Sequence, residues 1–295
     1  MDKNIQDEYI WTKSRKILTL AETGIRGLSS FGYNNQTTAK HPQPNHIHVN
    51  SIELTYIMNG EYHLSVNEQE IIGSGGDILI TFPNEPHGTG IAPRGINEIY
   101  WMHINMSEID NFMGLTPPWN EILYNSLLTI NGHMFHVGFS QTSILNDAMD
   151  YLSKPDPLSI LTGQNLIIKF LLYCSRHSRL SSSTISKSIS PDILKSVTFI
   201  NENLNQSINI EQLSRISNLS ASRFKTKFKE EAGTTPNMYI IQQKITLAKK
   251  MLQSGMSVTD TAFALDYSSS NYFSSVFKKM TSLSPSDYQK GFHNK

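Results

Sequence analysis

The sequence predicts an α+β protein: an antiparallel β-barrel with accompanying helices, followed by an all-α domain that carries two helix-turn-helix units. Three observations lead there. From about residue 25 to 105, apolar and polar residues alternate between tight-turn signals, the pattern of short half-buried strands. From residue 191 to 295, one pattern is written twice. Between them, Ser181-Ser182-Ser183-Thr184-Ile185-Ser186-Lys187-Ser188 has the composition of a flexible linker. The expected domains are 1–180, a linker at 181–190, and 191–295.

The strands come first. Residues 52–58 are rich in β-branched and aromatic types, and Asn59-Gly60 behind them is a strong two-residue hairpin signal. Tyr62, Leu64 and Val66 then alternate with polar neighbours. Ile71-Ile72, Gly75-Gly76 and Asp77-Ile78-Leu79-Ile80 continue the pattern, and residues 99–104 make a late strand. Many short strands with regular turns argue a small antiparallel barrel or sandwich. From about 108 to 177 the period turns helical. Ile144, Leu145, Ala148, Met149 and Leu152 recur at three and four, as do Leu166, Phe170 and Tyr173. These stripes serve either to pack on the barrel or to meet a partner.

The doubled pattern follows. An offset of 49 aligns Ser220 with Ser269, Phe224 with Phe273, Phe228 with Phe277, Lys229 with Lys278, Pro236 with Pro285 and Tyr239 with Tyr288. A repeat of this length marks one supersecondary unit used twice. In the first copy Asn209 caps a short helix, with Gln212 closing a capping box. Asn218-Leu219 turns, and Ser220 caps the next helix. Phe224 and Phe228, four apart, share the inward face. Ser222, Lys225, Thr226 and Lys229 then face outward. In the second copy Ser257 caps, Asp266-Tyr267-Ser268 turns, and Phe273 and Phe277 anchor the second helix. Ser270, Asn271, Ser274, Ser275 and Lys278 face outward. An apolar stripe from Pro236 to about Gln253 makes a connecting helix of ~26 Å at ~1.5 Å per residue. That is of the order of one DNA turn, ~34 Å, so one chain can present two helices to successive major grooves.

Charge agrees. Residues 191–295 carry 13 Lys and Arg against 8 Asp and Glu, a balance of +5, while residues 1–190 carry 12 against 17, a balance of −5. A basic domain in a neutral chain suits a polyanion partner. The single cysteine, Cys174, excludes an intrachain disulfide framework and a thiolate zinc cluster. It lies in an apolar stretch and reads as an inert thiol. The N-terminus lacks the layout of a signal peptide, and no apolar run approaches the ~18 residues that would span a membrane. A soluble, cytoplasmic chain is expected.

Two resemblances extend this reading. The doubled unit, with Phe277-Lys278-Lys279 and Ser284-Pro285-Ser286-Asp287-Tyr288, resembles the AraC/XylS family of transcription regulators. Departures are Asp266 and Ser282 where glycine is usual, Lys227 where an apolar residue is usual, and Lys244 in place of a connector arginine. Separately, His46-Ile47-His48 with Glu53 and Gly60, then Gly76-Asp77 with Pro83-Asn84-Glu85-Pro86-His87, resembles the two cupin motifs. His46, His48, Glu53 and His87 stand at the four metal-ligand positions of enzymatic cupins. The first resemblance implies that these four line the pocket of a small-molecule effector with no metal and no cofactor. It also implies double-stranded DNA and RNA polymerase as partners, activation rather than repression, a homodimer formed through the helices, and no catalysis. Arg26, Tyr56, Trp101 and His103 read as scaffold. The rival readings are a cupin metalloenzyme with an accessory DNA module and an effector-independent dimeric DNA binder.

Overall fold

The computed structural model describes residues 3–4, 6–181 and 189–293. The chain divides into two compact units: residues 1–35, 42–91 and 97–186, and residues 36–41, 92–96 and 187–295. Of the expected linker, residues 182–188 lie outside the described residues.

The first unit opens with β1 (Lys3–Asn4), β2 (Ile10–Trp11), β3 (Arg15–Thr19), α1 (Leu20–Thr23) and β4 (Leu28–Gln36). Then come β5 (His46–Ile47), β6 (Ser51–Val66), β7 (Gln69–Ser74), β8 (Asp77–Thr81), β9 (His87–Gly88) and β10 (Asn97–Asn105). The sheet order is β1-β5-β9-β6-β10-β4-β3-β2, with β7 and β8 also on β6. The β1–β5 pair is parallel. The long β6 organises the fold. Its first half pairs with β10 and β8, and its second half with β7 and β9.

The turn expected at Asn59-Gly60 is not there. β6 runs straight through that dipeptide, with Gly60 at φ 83° and a register slip opposite Glu98 and Ile99. Positive φ at a glycine is used here for a bulge that bends one strand from one face of the sheet to the other. The hairpin lies one half-strand later. Asn67 and Glu68 take φ 49° and 63°, and Val66 pairs with Gln69 across them. Both central residues are left-handed, as a two-residue turn of matching twist requires.

The segment expected to be helical contains α2 (Trp119–Leu128), β11 (Met134–His136), α3 (Gln141–Leu152) and α4 (Pro157–Ser181). The strand β11 was not expected; three residues are too few to show a period, and it forms by pairing with β8. Leu145, Ala148, Met149, Leu152, Ile167, Phe170, Leu171 and Cys174 bury against Leu54, Tyr56, Ile78 and Ile80 in one core. The stripes therefore pack on their own barrel. Residues 157–179 reach the length and mean hydropathy, 1.3, of a membrane-crossing helix, which corrects the expectation of no such run. The polar breaks at Gln164, Asn165 and Lys169 hid it, and its inner face belongs to the core.

The second unit holds seven helices among the described residues: α5 (Pro191–Glu202), α6 (Ile210–Ile216), α7 (Ala221–Ala232), α8 (Pro236–Gln253), α9 (Val258–Ala264), α10 (Ser270–Thr281) and α11 (Pro285–His293). Phe224, Phe228, Phe273 and Phe277 are fully buried in one core with Leu213, Ala248, Leu252, Ala262 and Leu265. Asn209 caps α6 by accepting from the Gln212 backbone N–H at 2.8 Å. The reciprocal half of the expected capping box is not formed, and Gln212 contributes only its backbone.

Candidate functional site

The two helix-turn-helix units superpose in chemistry as well as in sequence. α7 and α10 each have twelve residues, and Ser220 and Ser269 accept from the third helical N–H of each. Gly233 and Ser282 close both helices in the left-handed region, at φ 74° and 67°. The turns pivot on Asn218 and Asp266, at φ 54° and 59°. Both are small polar residues that tolerate this conformation. Tyr239 meets Phe228 edge-on at 5.5 Å, and Tyr288 meets Phe277 edge-on at 5.5 Å. The glycine-to-serine and glycine-to-aspartate departures thus leave the geometry intact.

The phenylalanines fix which face is outward. Ser222, Lys225, Thr226, Asn271, Ser275 and Lys278 are exposed, whereas Lys229, Ser270 and Ser274 are half-buried. Ser220 spends its hydroxyl on the cap. Thr226 and Ser275 donate back to the carbonyls of Ser222 and Asn271, at 3.3 and 3.0 Å. Two exposed residues escaped the sequence reading, Arg223 and Tyr272. They are one offset of 49 apart, so the repeat itself could have found them. The common exposed face is Ser222, Arg223 and Thr226 in one copy and Asn271, Tyr272 and Ser275 in the other.

Two of the substitutions that set this chain apart anchor these helices. Lys227 lies 3.3 Å from Asp192 of α5, and Glu231 accepts from Ser190, which caps α5. Lys244 of α8 is buried and donates to the Leu265 carbonyl at the end of α9, at 2.8 Å. Its ammonium lies 5.5 Å from the Tyr267 ring centre. Burial lowers its pKa, and the charge of Asp266 opposes that.

The four sensor residues converge. One ligand atom from each of His46, His48, Glu53 and His87 lies within 4.8 Å of the others. β5, β6 and β9 bring them together: His46 pairs directly with His87, and β9 pairs with the far half of β6. Glu53 Oε2 is 3.0 Å from His87 Nε2, 3.3 Å from His48 Nε2 and 3.7 Å from His103 Nε2. His87 Nδ1–H donates to the Glu85 carbonyl at 2.8 Å, and His46 Nδ1–H donates to that of Pro44 at 3.1 Å. Burial would raise the Glu53 pKa, but hydrogen bonds from His103, His48 and His87 hold it well below the usual carboxylate range. Burial and the charge of His87 lower that of His46. Burial would lower that of His87, and Glu53 raises it instead.

His103 and Trp101 take roles that the sequence did not assign. Asp7 Oδ2 accepts from Trp101 Nε1 and Ser30 Oγ, each at 2.8 Å, and lies 3.2 Å from His103 Nδ1. Burial would raise the Asp7 pKa, but the hydrogen bonds of His103, Trp101 and Ser30 bring it to about 2. Burial would lower that of His103, and Asp7 and Glu53 raise it to about 9. Asp7 was invisible in the sequence because it lies outside every strand pattern. Tyr56 is scaffold, bonded to the Gly138 carbonyl and Thr142, and Arg26 faces outward to Glu108.

Three imidazoles and a carboxylate suit a divalent transition metal such as iron, manganese, nickel or zinc. Four donors at ~2.1 Å around an ion stand roughly 3.4 Å apart. The observed spread closes to that with small side-chain shifts, so the residues fit a metal. The space against His46, Glu53 and His87 is about 20 Å³, room for one water rather than an organic molecule. A larger cavity of about 330 Å³, lined in part by Gln6, Asp7, Ser30, His48, His103 and Asn105, adjoins the cluster.

A barrel with a polar pocket beside a double helix-turn-helix unit defines a ligand-responsive regulator of transcription. The model of an AraC-like ligand binding domain matches residues 28–121, and that of a helix-turn-helix domain matches residues 213–291. The chain belongs to the AraC family of transcription regulators, with a ligand-binding domain and a DNA-binding domain. It is 24% identical over 284 residues to the uncharacterized HTH-type transcriptional regulator YdiP of Escherichia coli (strain K12), covering 90% of this chain and 87% of that protein. It is 24% identical over 196 residues to the HTH-type transcriptional activator RhaR of Pectobacterium atrosepticum, covering 64% and 68%. Among solved structures, the C-terminal domain of the response regulator AraT from Geobacillus stearothermophilus is 23% identical, covering 35% of this chain and 86% of that one at a TM-score of 0.34.

Proposed function

We propose that this regulator reads two successive major grooves with α7 and α10, and activates transcription as a cytoplasmic homodimer that engages RNA polymerase. The observation that carries the DNA reading is the matched outward face of the two units. Ser222, Lys225, Thr226, Asn271, Ser274 and Ser275 are assigned to base edges. Ser220, Lys229, Ser270 and Lys278, at the ends of the same helices, are assigned to phosphates. Arg223 joins the base-reading set, since a guanidinium pairs bidentately with guanine. His46, His48, Glu53 and His87 are assigned to the effector. Activation is supported by the relative RhaR, which is named an activator.

The dimer reading rests on α4. Leu158 and Leu161 are 72% and 52% exposed, and with Asn165, Ile168 and Leu172 they make a stripe at alternating spacings of three and four on the side away from the core. Exposed leucines at that period suit a second copy of the same helix.

Selection of binding sites from random duplex DNA tests the assignment. Asn271 is the residue best suited to pair with adenine. Asn271→Ala should relax the preference at one base position, at a cost of roughly 1–3 kcal/mol. Lys278→Ala should weaken all sequences alike. An unchanged selected motif for Asn271→Ala would show that α10 does not read bases through this residue.

A further inference from the structure

We propose that the ligand of the sensor domain is a divalent transition-metal ion, held by His46, His48, Glu53 and His87 and positioned by an Asp7–His103 pair that ties the N-terminal segment to the site. The inference rests on those four residues being the effector site. It replaces the expected organic effector with an ion.

Three observations carry it. The first is room: about 20 Å³ beside His46, Glu53 and His87 takes an ion's bound water and no organic effector. The second is the orientation of the rings. His46 and His87 each give Nδ1–H to a backbone carbonyl, of Pro44 and of Glu85. That fixes Nε2 as the atom turned to the centre, the usual arrangement of metal-binding histidines. Both nitrogens of His87 face oxygen acceptors, Glu85 O and Glu53 Oε2. Such a ring either carries a second proton or gives its lone pair to a cation between it and the carboxylate.

The third observation is His103. Its Nε2 is buried with no hydrogen-bond partner, 3.7 Å from Glu53 Oε2. Its Nδ1 is held by Ser30 at 2.9 Å and Asp7 at 3.2 Å. Its ring lies against that of His48, with centres 3.9 Å apart. A carboxylate behind a histidine that backs a ligand carboxylate is the outer-shell pattern that orients metal ligands. His103 stands outside the four motif positions, and Asp7 stands outside the barrel strands. This link is therefore a property of this chain's own residues. β1 adds a second tie, since Lys3 and Asn4 pair with His46 and Ile47. The larger cavity past His48 and His103 supplies an approach for the ion. Binding and docking of the N-terminal segment are then reciprocal: each strengthens the other.

The full chain, stripped with chelator and dialysed against zinc, nickel, manganese or ferrous iron in turn, should retain about one equivalent per chain of at least one of them. Cobalt should give a visible ligand-field spectrum. His46→Gln with His87→Gln should bring retention to none while circular dichroism shows the chain folded. If that double variant unfolds, Glu53→Gln, which keeps shape and removes the anionic donor, should lower affinity at least tenfold. Asp7→Asn should weaken binding about 10–100-fold and alter the cobalt spectrum. The metal should slow hydrogen exchange in residues 6–11 of the wild-type chain. Less than a tenth of an equivalent of every metal tried would overturn the proposal, and unchanged affinity in Asp7→Asn would overturn the positioning role. DNA binding measured on the same preparations separates the two readings. Retained DNA binding without metal leaves the regulator standing and removes only the ion.

Discussion

At the residue scale, Asp7 shows how one side chain outside any motif can hold a site together. Three hydrogen bonds reach a single oxygen. Its folded pKa, about 2, lies below the ordinary 3.8. The stability it contributes is therefore present above about 3.8 and is lost as pH falls through about 2. At ~1.4 kcal/mol per pH unit this amounts to about 2 kcal/mol. Asp7→Asn should thus melt with a deficit of that order in denaturant at neutral pH, and the deficit should shrink steadily as the solution is acidified below about pH 4. A deficit that is constant across pH would mean that shape, not charge, is what Asp7 supplies. Arg223 offers a second test at this scale. Arg223→Ala should cost about 1–3 kcal/mol at one guanine position and leave the fold unchanged, since its side chain is exposed. Binding-site selection beside a melting curve checks both parts.

At the element scale, turns and helix ends decide where the chain bends. Asn59-Gly60 and Asn67-Glu68 exchange the roles that turn chemistry assigns them, because the buried alternation runs through Gly60 and stops at Val66. Glu68 sits left-handed at a position where glycine carries no penalty. Glu68→Gly should therefore stabilise the first unit by roughly 0.5–1 kcal/mol, measured as a shift of the denaturant midpoint. A destabilised variant would show that Glu68 makes a contact worth more than its backbone strain. In the second unit, Lys244 satisfies the carbonyl that ends α9. Lys244→Met keeps the length and removes the donor, so it should destabilise by about 1–3 kcal/mol and loosen the second helix-turn-helix unit before the first. Amide exchange in α9 and α10 would register it. Much of this scale was legible in the sequence. The caps at Ser220, Ser257 and Ser269 and the span of α8 follow from local rules that operate within three or four residues.

At the scale of the whole molecule, a chain of zero net charge divides into a basic C-terminal third and an acidic remainder. If about six phosphates are contacted, the affinity for duplex DNA should fall with salt at a logarithmic slope near −5. A titration from low to moderate salt measures it, and a flat response would rule out the backbone contacts. The α4 stripe bears on assembly. Leu161→Glu should convert a dimer to a monomer in sedimentation velocity, leaving the core untouched because Leu161 points away from it. A wild-type chain that sediments as a monomer would reject the dimer.

The sequence by itself determined the doubled unit, its caps, its phenylalanine anchors and the four residues of the sensor cluster, because each depends on spacings within a helix turn, a strand or a motif. It did not determine which outward residues are most exposed. Arg223 and Tyr272 emerged only once the phenylalanines had rotated both helices against α8 and their neighbours. Nor did it determine the bend in β6, the strand β11, or the Asp7–His103–Glu53 link. Those depend on pairs far apart in the chain: Asp7 with Trp101, and Glu53 with His87. A periodic pattern records which face of an element is buried. It carries no record of which distant residue lies opposite, and that decision belongs to the closing of the barrel.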